Sequence, residues 1–185
     1  AEWIFFLDAD ERIPVALAAE IKKITTSGEK IAYKVPRLNY IMGQPLRHGG
    51  WYPDYTLRLL PRPDSYVEGF VHPQIVHPYP ERRLAHHLIH YTYTNWKQYF
   101  NKFNLYTELA AKKNNEKGKK AYFIRDIVLR PFVAFFKMYI LKAGWLDGKI
   151  GFILAVFHFF YTMAKYVKLR QIQIVERDKG ENRDF

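Results

Sequence analysis

Within the ten residues WIFFLDADER, an apolar run (Ile4, Phe5, Phe6, Leu7) abuts Asp8, Asp10 and Glu11, and this juxtaposition restricts the folds open to the chain. A run of that length, rich in aromatic and β-branched residues, predicts a strand buried on both faces. Three acids at its end are costly to place beside a core unless a cation, hydrogen bonds or a ligand compensates them. The arrangement predicts a ligand site at the carboxyl end of a central strand, where open α/β sheets bind ligands.

Beyond the acids, Pro14 occupies the first turn of a predicted helix in which Leu17, Ala18, Ile21 and Ile24 recur at helical spacing, ending near Ser27 and Gly28. Ile31, Tyr33 and Val35 alternate as a half-buried strand that Pro36 breaks and Leu38 and Tyr40 resume. Residues 43–50 read as a loop; alternating Tyr55, Leu57 and Leu59, then YVEGFVHPQIV and LIHYTY, add short strands. From Asn95 the period lengthens, and Trp96, Phe100, Phe103, Tyr106 and Ala110 mark one face of a helix running toward Lys117. Helices over about 122–142 and 149–169 follow, before a polar tail without predicted structure. The pattern divides the chain into an α/β part (1–94), a helical extension (95–169) and the tail (170–185).

The 185 residues suffice for one full core, or for one domain with an appended helical element. There is no cysteine, which excludes disulfides and thiolate metal sites. Lys and Arg number 29 against 18 Asp and Glu, a net charge of +11 that calls for an anionic partner: nucleic acid, acidic lipid headgroups or phosphorylated glycans. Many aromatic residues fall in the last third beside Lys and Arg, a pairing suited to a membrane interface. There the apolar run IGFILAVFHFFYTMA, 15 residues between Lys149 and Lys165, is shorter than the roughly 20 that span a bilayer. With Lys137 and Lys142 interrupting the preceding helix, the pair predicts a hairpin lying in one leaflet; the plain alternative is two helices packed on the α/β core.

Asp8 and Asp10 project to one side if the strand continues through them. Two hard oxygen donors at that spacing suit Mg²⁺ or Mn²⁺, ions that share their coordination with substrate phosphates and stabilise a departing diphosphate. The competing structural role is capping, with Asp10 and Glu11 at the start of the helix near Pro14. A second D-x-D chemistry, that of haloacid-dehalogenase-like phosphatases, needs Thr or Val two places after the second Asp. Here Arg12 stands there, and no later acidic pair follows.

Taken in order, FLDADER, RHGGWYPDYTLRLLPR, VHP, LIHYTY and the helical LRPFVAFFKMYILKAGWLDGKIGF resemble family-2 glycosyltransferases of the GT-A fold, in the branch that builds the lipopolysaccharide core. The resemblance implies the carboxyl-terminal portion of a Rossmann-like GT-A domain followed by an α-helical, membrane-associating extension. It also implies that a preceding nucleotide-holding half belongs to the enzyme, and that this stretch alone is inactive. In the roles it implies, Asp8 approaches the donor nucleotide and Asp10 binds the divalent cation (Mn²⁺ or Mg²⁺) on its diphosphate. Asp54, in PDYTLR, is the base that deprotonates the acceptor hydroxyl in an inverting displacement, with Arg58 following it on the acceptor side. His72 or His90 completes the metal shell, either being equally readable as a structural histidine or an acceptor contact. His48 lines the acceptor pocket, and Gly49 and Gly50 let Trp51 and Tyr52 present flat faces to a sugar ring, or pack as a buried aromatic pair.

The sequence departs from the family pattern at Pro53, where many relatives carry Glu, and at Pro73, where Glu is expected after the histidine. The partners implied are a nucleotide-sugar donor, a lipid-linked or lipopolysaccharide glycan acceptor and an anionic membrane surface, with no nucleic acid. The implied location is peripheral, on the cytoplasmic face of the bacterial inner membrane. A reading from another class is a non-catalytic basic module that binds anionic lipid or nucleic acid, although the aromatic residues sit at helical periods rather than on a stacking platform.

Overall fold

The computed structural model describes residues 2–69 and 74–181, which fall into two compact units, residues 1–92 and 93–185. In the first unit the order of elements is β1 (Trp3–Phe5), β2 (Glu11–Arg12), α1 (Val15–Thr25), β3 (Ala32–Ile41), β4 (Gln44–Leu46), β5 (Asp54–Pro61), β6 (Tyr66–Glu68), β7 (Gln74–Val76), β8 (Glu81–Arg83) and β9 (Leu88–Tyr93). The main sheet runs β1-β5-β3-β9-β2, with β4 and β8 also paired to β3, and β6 and β7 form a separate hairpin. The fold is mixed α/β.

β3 is the centre of this sheet, and its burial explains why strict alternation does not describe it. Ala32, Tyr33, Val35, Leu38, Asn39 and Ile41 are all buried, so both faces are covered rather than one. The strand also passes through Pro36 without a break; the proline lacks one donor, yet it stays in register opposite Tyr55. Leu17, Ile31, Tyr33, Val35, Leu59, Leu84 and Leu88 form the core, with Ile21 and Ile24 of α1 packed against it. Spacing of four and three residues puts Leu17, Ile21 and Ile24 on one helical face, whereas Ala18 points to solvent.

Among the described residues β1 ends the sheet order, paired with β5 alone, and its side chains are half-buried while Leu7 is exposed. The segment between β1 and β2 matters more. Phe6 N donates to Arg58 O on β5, and Tyr91 N on β9 donates to Asp10 O, so residues 6–10 bridge β5 and β9 across the width of β3.

In the second unit, α2 (Trp96–Glu116) begins at Asn95, whose side chain accepts from Gln98 N at 2.8 Å. A π-helical stretch (Phe123–Leu129), α3 (Arg130–Phe136) and a second π-helical stretch (Lys137–Leu141) lead through a 3₁₀ turn (Gly144–Asp147) into α4 (Gly148–Glu181). The helix expected to stop near Leu169 therefore continues into the segment read as an unstructured tail. Tyr99 and Phe103 of α2 meet Phe157 and Tyr161 of α4, with ring centroids 5.3 and 5.6 Å apart. The helical stretch 144–178 is, by length and composition, apolar enough to cross a membrane, which the 15-residue run alone did not suggest.

Two side-chain details yield predictions. A Cβ on Gly151 would lie 2.0 Å from the Gly144 carbonyl oxygen, so α4 approaches the preceding turn only because this position has no side chain. Although alanine is the better helix former, Gly151→Ala is expected to lower the unfolding free energy by about 1–3 kcal/mol in urea titrations, the usual range for overpacking. On α1, the Glu20 carboxylate accepts from Ala85 N and His86 N, both at 2.9 Å, and from His86 Nδ1 at 2.8 Å. Burial alone would raise its pKa, but the two backbone donors and the histidine outweigh burial and hold it below the ordinary 4.5. Glu20→Gln should therefore destabilise by about 1–2 kcal/mol at neutral pH. The difference from wild type, full above pH 4.5, should fade as the pH falls through the lowered native pKa of Glu20.

Candidate active site

The bridge over β3 is held by a buried carboxylate. Glu11 is 0% exposed; its Oε1 accepts from Arg58 Nη2 at 2.6 Å and lies 3.8 Å from Arg37 Nη1, while its Oε2 accepts from the Asp8 backbone N–H at 3.0 Å. Arg58 also pairs with Asp8, whose side chain is largely exposed. Burial by itself would favour loss of the Arg58 proton, but the hydrogen bond to Asp8 and the charge of Glu11 prevail and raise its pKa above the ordinary value. Glu11 therefore does not cap α1, and the residue before that helix, Pro14, carries no side-chain cap.

Register explains the next charge. Arg37 on β3 stands directly opposite Asp54, the first residue of β5, and donates to its Oδ2 from Nε at 2.9 Å and Nη2 at 2.6 Å. Both bonds fall on one oxygen of a carboxylate that remains 38% exposed. Arg37 thus links Asp54 to Glu11 and fixes the orientation of the Asp54 side chain.

On the other side of β3, Asn39 organises the pocket. Its Nδ2 donates to Trp51 O at 2.9 Å, which fixes the direction of the amide; its Oδ1 then accepts from Thr92 Oγ1 at 2.9 Å and faces His90 Nδ1 at 2.7 Å. An oxygen can only accept, so His90 Nδ1 carries the proton. In the neutral ring the Nε2 lone pair is then directed outward, and Nε2 lies 3.4 Å from Asp10 Oδ2. Two acceptors at that separation are satisfied by a proton on Nε2 or by a shared cation.

Arg37, Asn39, Trp51, Asp54, His90 and Thr92 line one cavity of about 340 Å³. The expected residues Trp51, Asp54 and His90 thus converge, and Asp10 adjoins them through His90. Arg58 is 8% exposed and engaged by Asp8 and Glu11. Tyr52 packs edge-on to His87, with centroids 6.3 Å apart, and the His48 carbonyl accepts from Trp51 N at 3.1 Å across Gly49 and Gly50, whose φ of 64° and 85° suits glycine. His72 lies outside the described residues. Arg37 and Asn39 were not singled out from the sequence as site residues, because only cross-strand register brings them here, and Glu11, one of the three acids expected at a ligand site, is instead buried against Arg58.

A divalent cation fits the donor set in a limited way. Asp10 and His90 are hard and borderline ligands, and the bond from His90 Nδ1 to Asn39 is the kind of outer contact that orients a metal-binding imidazole. Among the described residues no group of three or more His, Cys, Asp or Glu could hold a metal. Any ion here would take its remaining ligands from water or substrate phosphates, as Mg²⁺ commonly does.

With this geometry in view, the chain is similar to the lipopolysaccharide core biosynthesis glycosyltransferase LpsC of Rhizobium meliloti (strain 1021), 28% identical over 182 residues, 95% of this chain and 64% of that protein. The chain thus spans less than two thirds of the length of this relative. No family profile and no solved structure matches it.

The Glu11 cluster can be tested by stability alone. Removing one partner of a buried ion pair typically costs about 3–5 kcal/mol, so Arg58→Met should lose an amount of that order in denaturant titration. Combining it with Glu11→Leu removes the stranded charge, and the double variant should be more stable than Arg58→Met.

Proposed function

We propose that this chain is part of a glycosyltransferase that moves a sugar from a nucleotide donor to a lipopolysaccharide-core or other envelope glycan. The observation that carries this reading is the similarity to a lipopolysaccharide-core glycosyltransferase along 182 residues. The convergence of Asp54, Trp51 and His90 on one cavity beside Asp10 supports it.

In this reading the Trp51 face receives the acceptor sugar, and Asp54 takes the proton of the attacking hydroxyl. The acceptor oxygen bonds to the anomeric carbon as the bond to the nucleoside diphosphate breaks, which inverts the configuration. Arg37 holds Asp54 through Oδ2, so Oδ1, which carries neither of those bonds, is the oxygen offered to the hydroxyl. Asp10 and His90 hold a divalent cation, which when bound neutralises charge on the departing diphosphate. Asp8 approaches the nucleotide, and Arg58 acts by fixing Asp8 and Glu11 rather than by touching the acceptor.

The exposed apolar side chains of the helical unit, among them Phe123, Phe132, Phe136, Leu141 and Trp145, support contact with a membrane, which in this reading is peripheral and on the cytoplasmic face of the inner membrane, where a lipid-linked acceptor is displayed. The test is sugar transfer by the full-length protein with Mn²⁺ or Mg²⁺. Asp54→Asn is expected to lower kcat about 10²–10⁴-fold, the usual contribution of a general base. Asp10→Asn and chelation of the metal should depress turnover as well, and the product should have the inverted anomeric configuration. Undiminished turnover in both variants, or a retained product, refutes the assignment.

A further inference from the structure

The second unit gathers cations around one aromatic ring. Arg130 Cζ lies 5.2 Å and Lys165 Nζ 4.8 Å from the centroid of buried Tyr166, and Arg130 Nη1 donates to Tyr166 Oη at 3.0 Å. Lys165 is within electrostatic reach of both Arg130 and Lys119. The loop bearing Lys119 is fastened to α4 by Gln173, which donates to Lys119 O at 2.6 Å and accepts from Ala121 N at 3.2 Å. Arg125 and Arg130 share the buried Asp126 carboxylate, at 2.9 and 2.5 Å, and Arg170 lies over the Phe123 ring at 5.9 Å.

Arg125 and Arg130 therefore share one carboxylate, Asp126, while Lys165 stands with Arg130 at the Tyr166 ring, within reach of Lys119, and Arg170 lies over Phe123. Crowding like charges costs stability unless an anion joins them. Beside the cluster lies an open surface depression of about 510 Å³ lined by Tyr122, Phe123, Ile124, Arg125 and Leu129, whose apolar side chains are exposed. A cationic cluster next to an apolar depression complements an amphiphile: a phosphate with an attached hydrocarbon chain.

We propose that Lys119, Arg130 and Lys165 bind the phosphate of an anionic membrane lipid around Tyr166, with an acyl chain lying in the depression at Phe123, Ile124 and Leu129. The proposal rests on the reading that the helical unit meets the membrane, and it assigns that contact to one place. The Asp126 clamp fixes Arg130 and the Gln173 fastening fixes the backbone at Lys119 before the lipid arrives, which lowers the ordering cost of binding at those two positions.

The experiment is flotation of the full-length protein with phosphatidylcholine vesicles containing or lacking phosphatidic acid. Lys119→Met with Lys165→Met should weaken binding to the phosphatidic acid vesicles about tenfold or more, since each cation near an anionic surface contributes on the order of 1 kcal/mol. The charge-matched pair Lys22→Met with Lys23→Met, on α1, should leave it within about twofold of wild type, because neither lysine belongs to the cluster. Equal losses in the two pairs overturn the site in favour of diffuse charge. In a second arm, the Arg130 Nε–H resonance is followed as dihexanoyl phosphatidic acid or inorganic phosphate is added. The lipid should act at concentrations at least about tenfold lower; equal potency overturns the lipid in favour of a free anion. Wild-type protein that shows no preference for phosphatidic acid vesicles overturns this site together with the membrane reading. Preference that survives the first pair of substitutions removes the site alone.

Discussion

A carboxylate with no exposure to solvent, Glu11, governs the first unit. Removing such a charge from water costs several kcal/mol, which is recovered only if good geometry surrounds it. Here Arg58 comes from β5, Arg37 from β3, and the Asp8 N–H from the chain just ahead of Glu11. Three strands are thereby tied at one point, and the segment carrying Asp8 and Asp10 is pinned across β3 where it would otherwise be a loose crossing. The pocket inherits its shape from this tie, since the arginine that faces Glu11 also holds Asp54.

How much of this was legible in the sequence depended on the range of the interaction. Local periodicity placed α1 and its buried face, and the paired glycines marked the turn before Trp51. The strand nature of WIF was also readable, but its pairing with β5 was not, because apolar character reports burial and not which neighbour supplies it. Glu11 could be read as a ligand-site acid or as a helix cap, but not as the buried partner of Arg58, because a partner 47 residues away leaves no local trace. Arg37 and Asn39 acquire their roles through pairings across the sheet, so no spacing rule could find them.

The helical unit shows a different balance. Aromatic residues at helical periods do pack, as Tyr99, Phe103, Phe157 and Tyr161 show, yet large apolar side chains at Phe132, Val133, Phe136 and Leu141 stay exposed. Composition alone could not divide these two groups, because both are aromatic or aliphatic and both sit beside lysines. The extension of α4 past Leu169 was illegible from hydropathy, since a polar helix segment and a polar coil share the same composition.

Asn39 uses every face of its amide: the nitrogen serves the Trp51 carbonyl, and the oxygen serves Thr92 and His90. An aspartate at this position would set an oxygen against the Trp51 carbonyl, and a leucine would strand all three partners. Substitution here thus disturbs the backbone at 51 and the side chains at 90 and 92 together. In the language of wiring, the residue is a junction rather than an endpoint, and exchanging it opens three connections at once.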